Sequence, residues 1–277
     1  MTGPVSRSLA EVERIRGRLW RTAPERRVGG ERGALRFISE LGFVVMIPIK
    51  GSELPSIHGA AGGDWGTWWD WKQTLPERKA CYYAKLLRNR GMFVSWEWFP
   101  WFYATYADRR SYWRLYREGL LDPVQKRVLD LLDTNGPMMT RELRLAFGQA
   151  SKQNTRRVKE SLVDLQRRFL VCPAGGDTEG WSHHRWDLVE RWAPPEALAE
   201  ARKLSPAAAR TALVRKHVQN MVATTAADTA WLFGWERRTV DEIVKGLIEA
   251  GEAEVVSVPE LEGEVVIPRP WPSRGSR

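Results

Sequence analysis

Cysteine and histidine are scarce, at two and four residues in a chain of 277. Cys81 and Cys172 cannot build a disulfide framework, and the want of any Cys-x-x-Cys pair argues against a structural zinc site, so no metal is expected. Long apolar runs are missing as well. The stretch Phe43 to Ile49 falls far short of the roughly 20 residues a membrane helix needs. The opening Met1-Thr-Gly-Pro-Val-Ser-Arg7 has no apolar signal core. A cytoplasmic protein with no membrane partner is the expectation. There is no Walker lysine motif, dinucleotide fingerprint or nucleophile elbow, so no small-molecule cofactor is expected either.

Acidic side chains are the minority charge: 34 Asp and Glu stand against 43 Lys and Arg, for a formal net charge of +9. Such an excess favours a polyanionic partner, with nucleic acid ahead of an anionic membrane surface. Apolar residues make up 43% and charged residues 28%, which excludes wholesale disorder. The basic excess is uneven. Residues 141–170 hold eight Lys and Arg against three Asp and Glu, whereas residues 240–264 hold eight acidic side chains against one basic. The second of these segments is a poor match for a phosphate backbone.

Tryptophan is abundant: fifteen in all, eight of them between Trp65 and Trp113. In Asp64-Trp-Gly-Thr-Trp-Trp-Asp-Trp-Lys72, the rings Trp65, Trp68 and Trp69 recur at a spacing of three and four. That spacing fits core packing. It also fits base stacking in a cleft, worth roughly 1–3 kcal/mol per base. Asp64, Asp70 and His58 are the polar residues nearest this cluster and are the candidates for acid–base chemistry.

The clearest unit runs from Asp122 to about Pro194. Asp122-Pro123 is a cap followed by proline at the first helical position. Val124, Val128, Leu131 and Leu132 then recur at helical spacing up to Asn135-Gly136-Pro137. Thr140 is expected to cap a second, short helix. A third begins at Asn154 or Thr155, with Val158, Leu162 and Leu165 on one face. Two strands follow, at Phe169–Cys172 and between Trp181 and Val189. Three helices and a hairpin are the plan of a winged helix, whose third helix enters the major groove. Ser205-Pro206, 83 residues after Asp122-Pro123, restarts the pattern. Thr225 and Thr239 are the expected caps of its next two helices, and a hairpin closes it between Ala253 and Ile267.

Before Asp122 the pattern is weaker. Ser8 begins a helix to about Trp20, and a solvated face accounts for Arg14, Arg16, Arg18 and Arg21. Phe43 to Ile49 reads as a buried strand, and Leu75-Pro76 as the start of a helix through Leu87. The expected fold is mainly α with small β wings: tandem winged-helix units over residues 1–121, 122–197 and 198–277. In the central unit Lys152, Arg156, Arg157 and Lys159 open the recognition helix, where a free N-terminus and cations together attract phosphate. His183, His184 and Arg185 lie on the wing.

The helix ending Phe37-Ile-Ser-Glu-Leu41 and running into Gly42-Phe-Val-Val-Met-Ile-Pro-Ile49 resembles the AlkZ/YcaQ family of winged-helix DNA glycosylases. Phe93-Val-Ser95, Phe99-Pro100 and Val189-Glu-Arg-Trp192 carry the same resemblance. It implies tandem winged helices around a concave DNA-binding face, and excision of alkylated bases. It also implies a Gln-x-Gln or Gln-x-Asp pair, whose positions here are Val45 and Ile47. Neither aliphatic side chain can position water or stabilise a cationic sugar. The sequence stops at Arg277, where the family usually continues into a β-barrel.

The reading is a monomeric protein that binds double-stranded DNA without the family's usual catalysis. One alternative is an active glycosylase with a displaced catalytic carboxylate. Another is a protein-interaction scaffold built on the acidic third unit.

Overall fold

A computed structural model describes residues 6–62, 65–148, 152–178, 183–261 and 263–272. The elements run α1 (Leu9–Leu19), α2 (Glu31–Leu41), β1 (Phe43–Val45), α3 (Ile57–Ala61), α4 (Trp71–Glu77), β2 (Tyr82–Lys85), β3 (Gly91–Val94), α5 (Phe99–Tyr106) and α6 (Tyr112–Arg117). They continue with α7 (Pro123–Asn135), β4 (Met138–Met139), α8 (Thr140–Ala146), α9 (Lys152–Arg167), β5 (Val171–Asp177), β6 (His183–Leu188), α10 (Val189–Trp192) and α11 (Pro195–Lys203). The last are α12 (Pro206–Met221), β7 (Thr224–Thr225), α13 (Ala226–Phe233), α14 (Arg237–Glu249), β8 (Ala253–Val256) and β9 (Val265–Pro268).

The fold is mainly α with small antiparallel β wings, and one connectivity occurs three times. Helix, strand, helix, helix, strand, strand describes α2 to β3, α7 to β6 and α12 to β9. In each sheet the third strand lies between the other two: β1-β3-β2, β4-β6-β5 and β7-β9-β8. The local signals explain the starts. Asp122 accepts from the Val124 and Gln125 backbone N–H groups at 2.7 and 2.8 Å, and Gln125 returns a bond from its side chain to the Asp122 N–H. This reciprocal cap with Pro123 fixes the first turn. Ser8, Ser205 and Thr225 cap their helices through the same kind of bond. Gly42, at φ +76°, turns α2 into β1 where any Cβ would collide with the Trp98 ring.

Several expectations are corrected. Tyr82–Lys85 is a strand rather than the end of a helix, because it pairs with β3 (Tyr82 opposite Val94). The strand after Gly42 ends at Val45. Thr140 does not cap α8; its hydroxyl accepts from Trp186 Nε1 at 2.8 Å and donates to the His184 carbonyl, tying the helix to β6. α14 starts at Arg237, ahead of Thr239. Arg16 is not on a solvated face. It is buried, and its guanidinium donates to the Met221 and Ala223 carbonyls at 2.9 and 2.8 Å, past the end of α12.

One apolar core runs through all three repeats. Phe43, Tyr82, Phe99 and Phe102 meet Phe169, Cys172 and Trp192, and then Leu213 and Phe233. The Tyr82 and Phe169 rings stack at 5.3 Å, and Phe43 meets Phe102 edge-on at 5.1 Å. Full burial of each such ring stabilises by about 1.5–3 kcal/mol. α5 is apolar on every side because it lies inside this core, against α11 and α12. α1 packs elsewhere: Val12 and Ile15 sit on Val256, Val265 and Ile267 of the third repeat. The cleft between the first two repeats is therefore framed by fixed elements.

Candidate nucleic-acid interface

The central helix is held by its apolar stripe. Val158, Leu162 and Leu165 face inward, and Gln166 locks the register by accepting from the Lys85 backbone N–H at 3.0 Å. α9 therefore lies along β2 of the first repeat. The opposite face of α9 exposes Lys152, Arg156, Arg157 and Lys159. The helix then separates these cations by its periodicity. Arg156 and Lys159 share a groove with Asn89, Val163 and Arg167, and with the carboxylates Glu160 and Asp164. Arg157 turns to a different hollow, beside Asp122 and the start of α7. Arg156 pairs with Glu160 one turn on at 2.7 Å, an exposed contact of small energetic weight.

Next to that groove, and sharing Lys159, Val163 and Asn89 with it, is a cleft of about 410 Å³. Its walls come from the turn after β1, α4, β2, α8, α9 and β6. Five cations line it: Lys72, Lys85, Arg90, Arg144 and Lys159. No carboxylate lines it, and among the described residues none of the five has an ion-pair partner. Arg144 Nε is enclosed and lacks a hydrogen-bond acceptor. Lys85 is held below its ordinary pKa, first by burial and then by the charges of Lys159 and Arg90. Like charges gathered without counter-charges make a site for an anion.

The Trp-rich segment supplies one wall. Trp69 lines the cleft, and Lys72 Nζ lies over its ring at 3.5 Å. Trp68 is not available for stacking on a base: it is fully buried against His58 and the neighbouring tryptophans. Trp65 is 48% exposed, with its ring 5.0 Å from Trp68, so it is the outward-facing member. Asp70 and His58 do not line the cleft. Asp64 lies outside the described residues, as does the His183 side chain. Arg185 is engaged by Glu77 of α4 and serves to dock the wing on the first repeat. His184 does not project from the wing. Its ring lines the cleft near Tyr83 and Trp186, with Nδ1 enclosed and unpartnered. Burial, followed by the Lys72 and Lys85 charges, lowers its pKa to about 3, so the imidazole is neutral.

Val45 and Ile47 part company. Val45 is buried in the shared core, its N–H bonded to the Pro55 carbonyl at 3.1 Å. Ile47 is half-buried and lines the cationic cleft, together with Trp69 and Lys72. Sequence reasoning did not single out Lys72, Lys85, Arg90 or Arg144. Their common feature, convergence without carboxylates, arises only when the first and second repeats dock.

A model of the AlkZ-related protein family matches residues 31–234. Among solved structures, the DNA glycosylase AlkZ of Streptomyces sahachiroi is similar over 96% of this chain and 71% of that one, with a TM-score of 0.59 and 12% sequence identity. At that identity the likeness is one of fold. No curated protein matches.

Proposed function

Because the chain belongs to the AlkZ-related family, we propose that it binds double-stranded DNA as a monomer, along the groove between α9 and the β2–β3 hairpin. The three repeats are read as winged helices over residues 1–121, 122–197 and 198–277, with the second placing its third helix against the duplex. The observation that carries this reading is the set of five unpaired cations, Lys72, Lys85, Arg90, Arg144 and Lys159, around one cleft continuous with Arg156 and Arg167. Phosphates would supply the missing counter-charge. Trp69 and Trp65 give aromatic faces beside it, suited to a base or sugar turned out of the stack.

The similar structure is that of a DNA glycosylase, and DNA repair is the setting this implies here. The aliphatic pair Val45 and Ile47 removes the polar groups through which the family resemblance would assign base excision, so the DNA-binding reading is preferred to the family's usual reaction.

The test is a binding titration of intact, abasic and alkylated duplexes at several salt concentrations. Each phosphate neutralised contributes a slope of about −0.9 to log K against log salt. A slope near −4 is expected. Binding that ignores salt, or no binding to any of the three duplexes, refutes the reading. Release of a damaged base in the same mixtures would instead establish the glycosylase alternative.

A further inference from the structure

Lys72 differs from the other cations of the cleft. The rest lie on α8, α9 and the hairpin, whereas Lys72 sits on the inner wall, 3% exposed. Its ammonium donates to the Trp69 carbonyl at 3.2 Å and rests on the Trp69 ring. Among the described residues no carboxylate is within ion-pair distance of Nζ. An ammonium has three donors, and the remaining ones border the cleft.

We propose that Lys72 is a nucleophile for an aldehyde, forming an imine with the ring-opened sugar of an abasic site in DNA. The argument rests on the reading of this groove as a DNA-binding surface and assigns a chemistry to its inner end. Four observations converge. The cleft, at about 410 Å³, falls in the range of small-molecule sites and can take a deoxyribose with its phosphate. Lys85, Arg90, Arg144 and Lys159 surround that space with charge for the flanking phosphate groups. Ile47 and Trp69 give Lys72 an apolar setting. His184 holds a neutral imidazole in the same cleft, its Nδ1 enclosed and without a partner.

Burial lowers the Lys72 pKa to about 8, against a smaller opposing effect of Asp70. About a tenth of the side chain is then free amine at pH 7, the form that attacks carbonyls. The step balances without any further reactant. The Nζ lone pair forms a bond to C1′ of the open sugar. The carbonyl oxygen leaves as water, taking the two protons that nitrogen gives up, and the product is a C1′=N imine. His184 is a positioning residue: its ring is neutral and adds no further positive charge beside the amine.

The experiment uses the full chain with two probes. The first is 2-deoxyribose 5-phosphate with cyanoborohydride, which reduces an imine to a stable secondary amine; peptide mapping then locates the adduct. The second is an abasic duplex with borohydride, read as a covalent protein–DNA band. The expected result is labelling concentrated at Lys72 on the unmutated protein. With Lys72→Arg, at duplex concentrations that saturate both proteins, the covalent band falls at least about tenfold. Labelling spread over surface lysines, or a band undiminished by Lys72→Arg, overturns the proposal. Because mapping is done on the unmutated chain, a variant that folds poorly cannot hide the answer. The two readings also fail separately. Salt-dependent duplex binding without trapping sinks the imine alone, and selective capture of the small aldehyde without duplex binding sinks the DNA reading alone.

Discussion

α9 and α14 occupy the same position in successive repeats, each the third helix before a hairpin, and both bury an apolar stripe. Their outer faces differ in how charge is settled. In α14 every cation has a carboxylate one turn on: Arg237 with Asp241, Arg238 with Glu242 and Lys245 with Glu249. In α9 only Arg156 has such a partner, Glu160, and Lys159 faces further cations across the cleft. A helix that neutralises itself gains a few tenths of a kcal/mol per pair and has little left for a polyanion. The same topology thus carries a self-neutralised outer face in the third repeat and, on the proposed reading, a binding face in the second.

The largest expected effect tests the third repeat. Arg16 bonds the carbonyls of Met221 and Ala223, joining α1 to the end of α12. Arg16→Ala leaves these groups without donors and should cost about 3 kcal/mol of stability, read from urea unfolding. The salt slope of DNA binding by the protein that remains folded should not change. A reduced slope would mean that the third repeat shares in phosphate contact.

The direct comparison comes next in size. Arg144→Glu with Lys159→Glu puts two carboxylates into the cleft and is expected to weaken duplex binding about 100-fold at low salt, or ~2.7 kcal/mol. Arg238→Glu with Lys245→Glu makes the same change of net charge on α14 and should alter affinity less than about threefold. Equal losses would show that overall charge, rather than the cleft, governs binding.

Acid bears on both repeats, through one buried histidine in each. His217 of α12 is 2% exposed, with its ring edge-on to Phe233 at 5.5 Å. Burial, followed by the Arg16 charge, lowers its pKa to about 3. The unfolded chain takes up this proton near pH 6.5 and the folded chain does not. Stability is therefore fully present above pH 6.5 and is lost as pH falls toward 3, by about 2 kcal/mol at pH 5. Unfolding measured at pH 7 and pH 5 should show that loss on top of a similar one from His184, whose pKa is also lowered to about 3, and His217→Gln should roughly halve the total. A variant with the same pH sensitivity as the parent would place the titration elsewhere.

The fold was legible where one segment carries its own instructions. Asp122-Pro123, Ser205-Pro206 and Thr225 announce helices that tertiary context leaves in place, and Val158, Leu162 and Leu165 mark the inner face of α9. Tyr82–Lys85 was misread because a short apolar run suits a helix or a strand equally, and pairing with β3 decides it. The cleft was less legible still. Lys72, Lys85, Arg144, Lys159 and His184 are ordinary residues in five separate elements, and their meaning is in the missing carboxylates between them. The Trp-rich segment drew attention to Asp64 and Asp70, yet among its described residues those lining the cleft are Trp69 and Lys72. Arg16 shows the same limit: a run of arginines in sequence does not say which one turns inward to meet a helix end.

The finest comparison is within α9 itself. Sequence places Arg156 and Arg157 side by side, and both were expected to contact DNA. A rotation of about 100° between successive helical residues sends them to different hollows, Arg156 to the groove with Lys159 and Arg167, and Arg157 to the one beside Asp122; Glu160 and Asp164 border both. Around Arg157 three carboxylates stand against one cation, whereas around Arg156 two stand against three cations, so a phosphate is favoured only on the Arg156 side. Arg156→Ala is expected to weaken duplex binding about threefold and to reduce the magnitude of the salt slope by about one. Arg157→Ala should change affinity by less than a factor of about 1.5 and leave the slope alone. The reverse order would rotate the DNA around α9 toward the N-terminus of α7, leaving the cationic cleft off the path of the duplex.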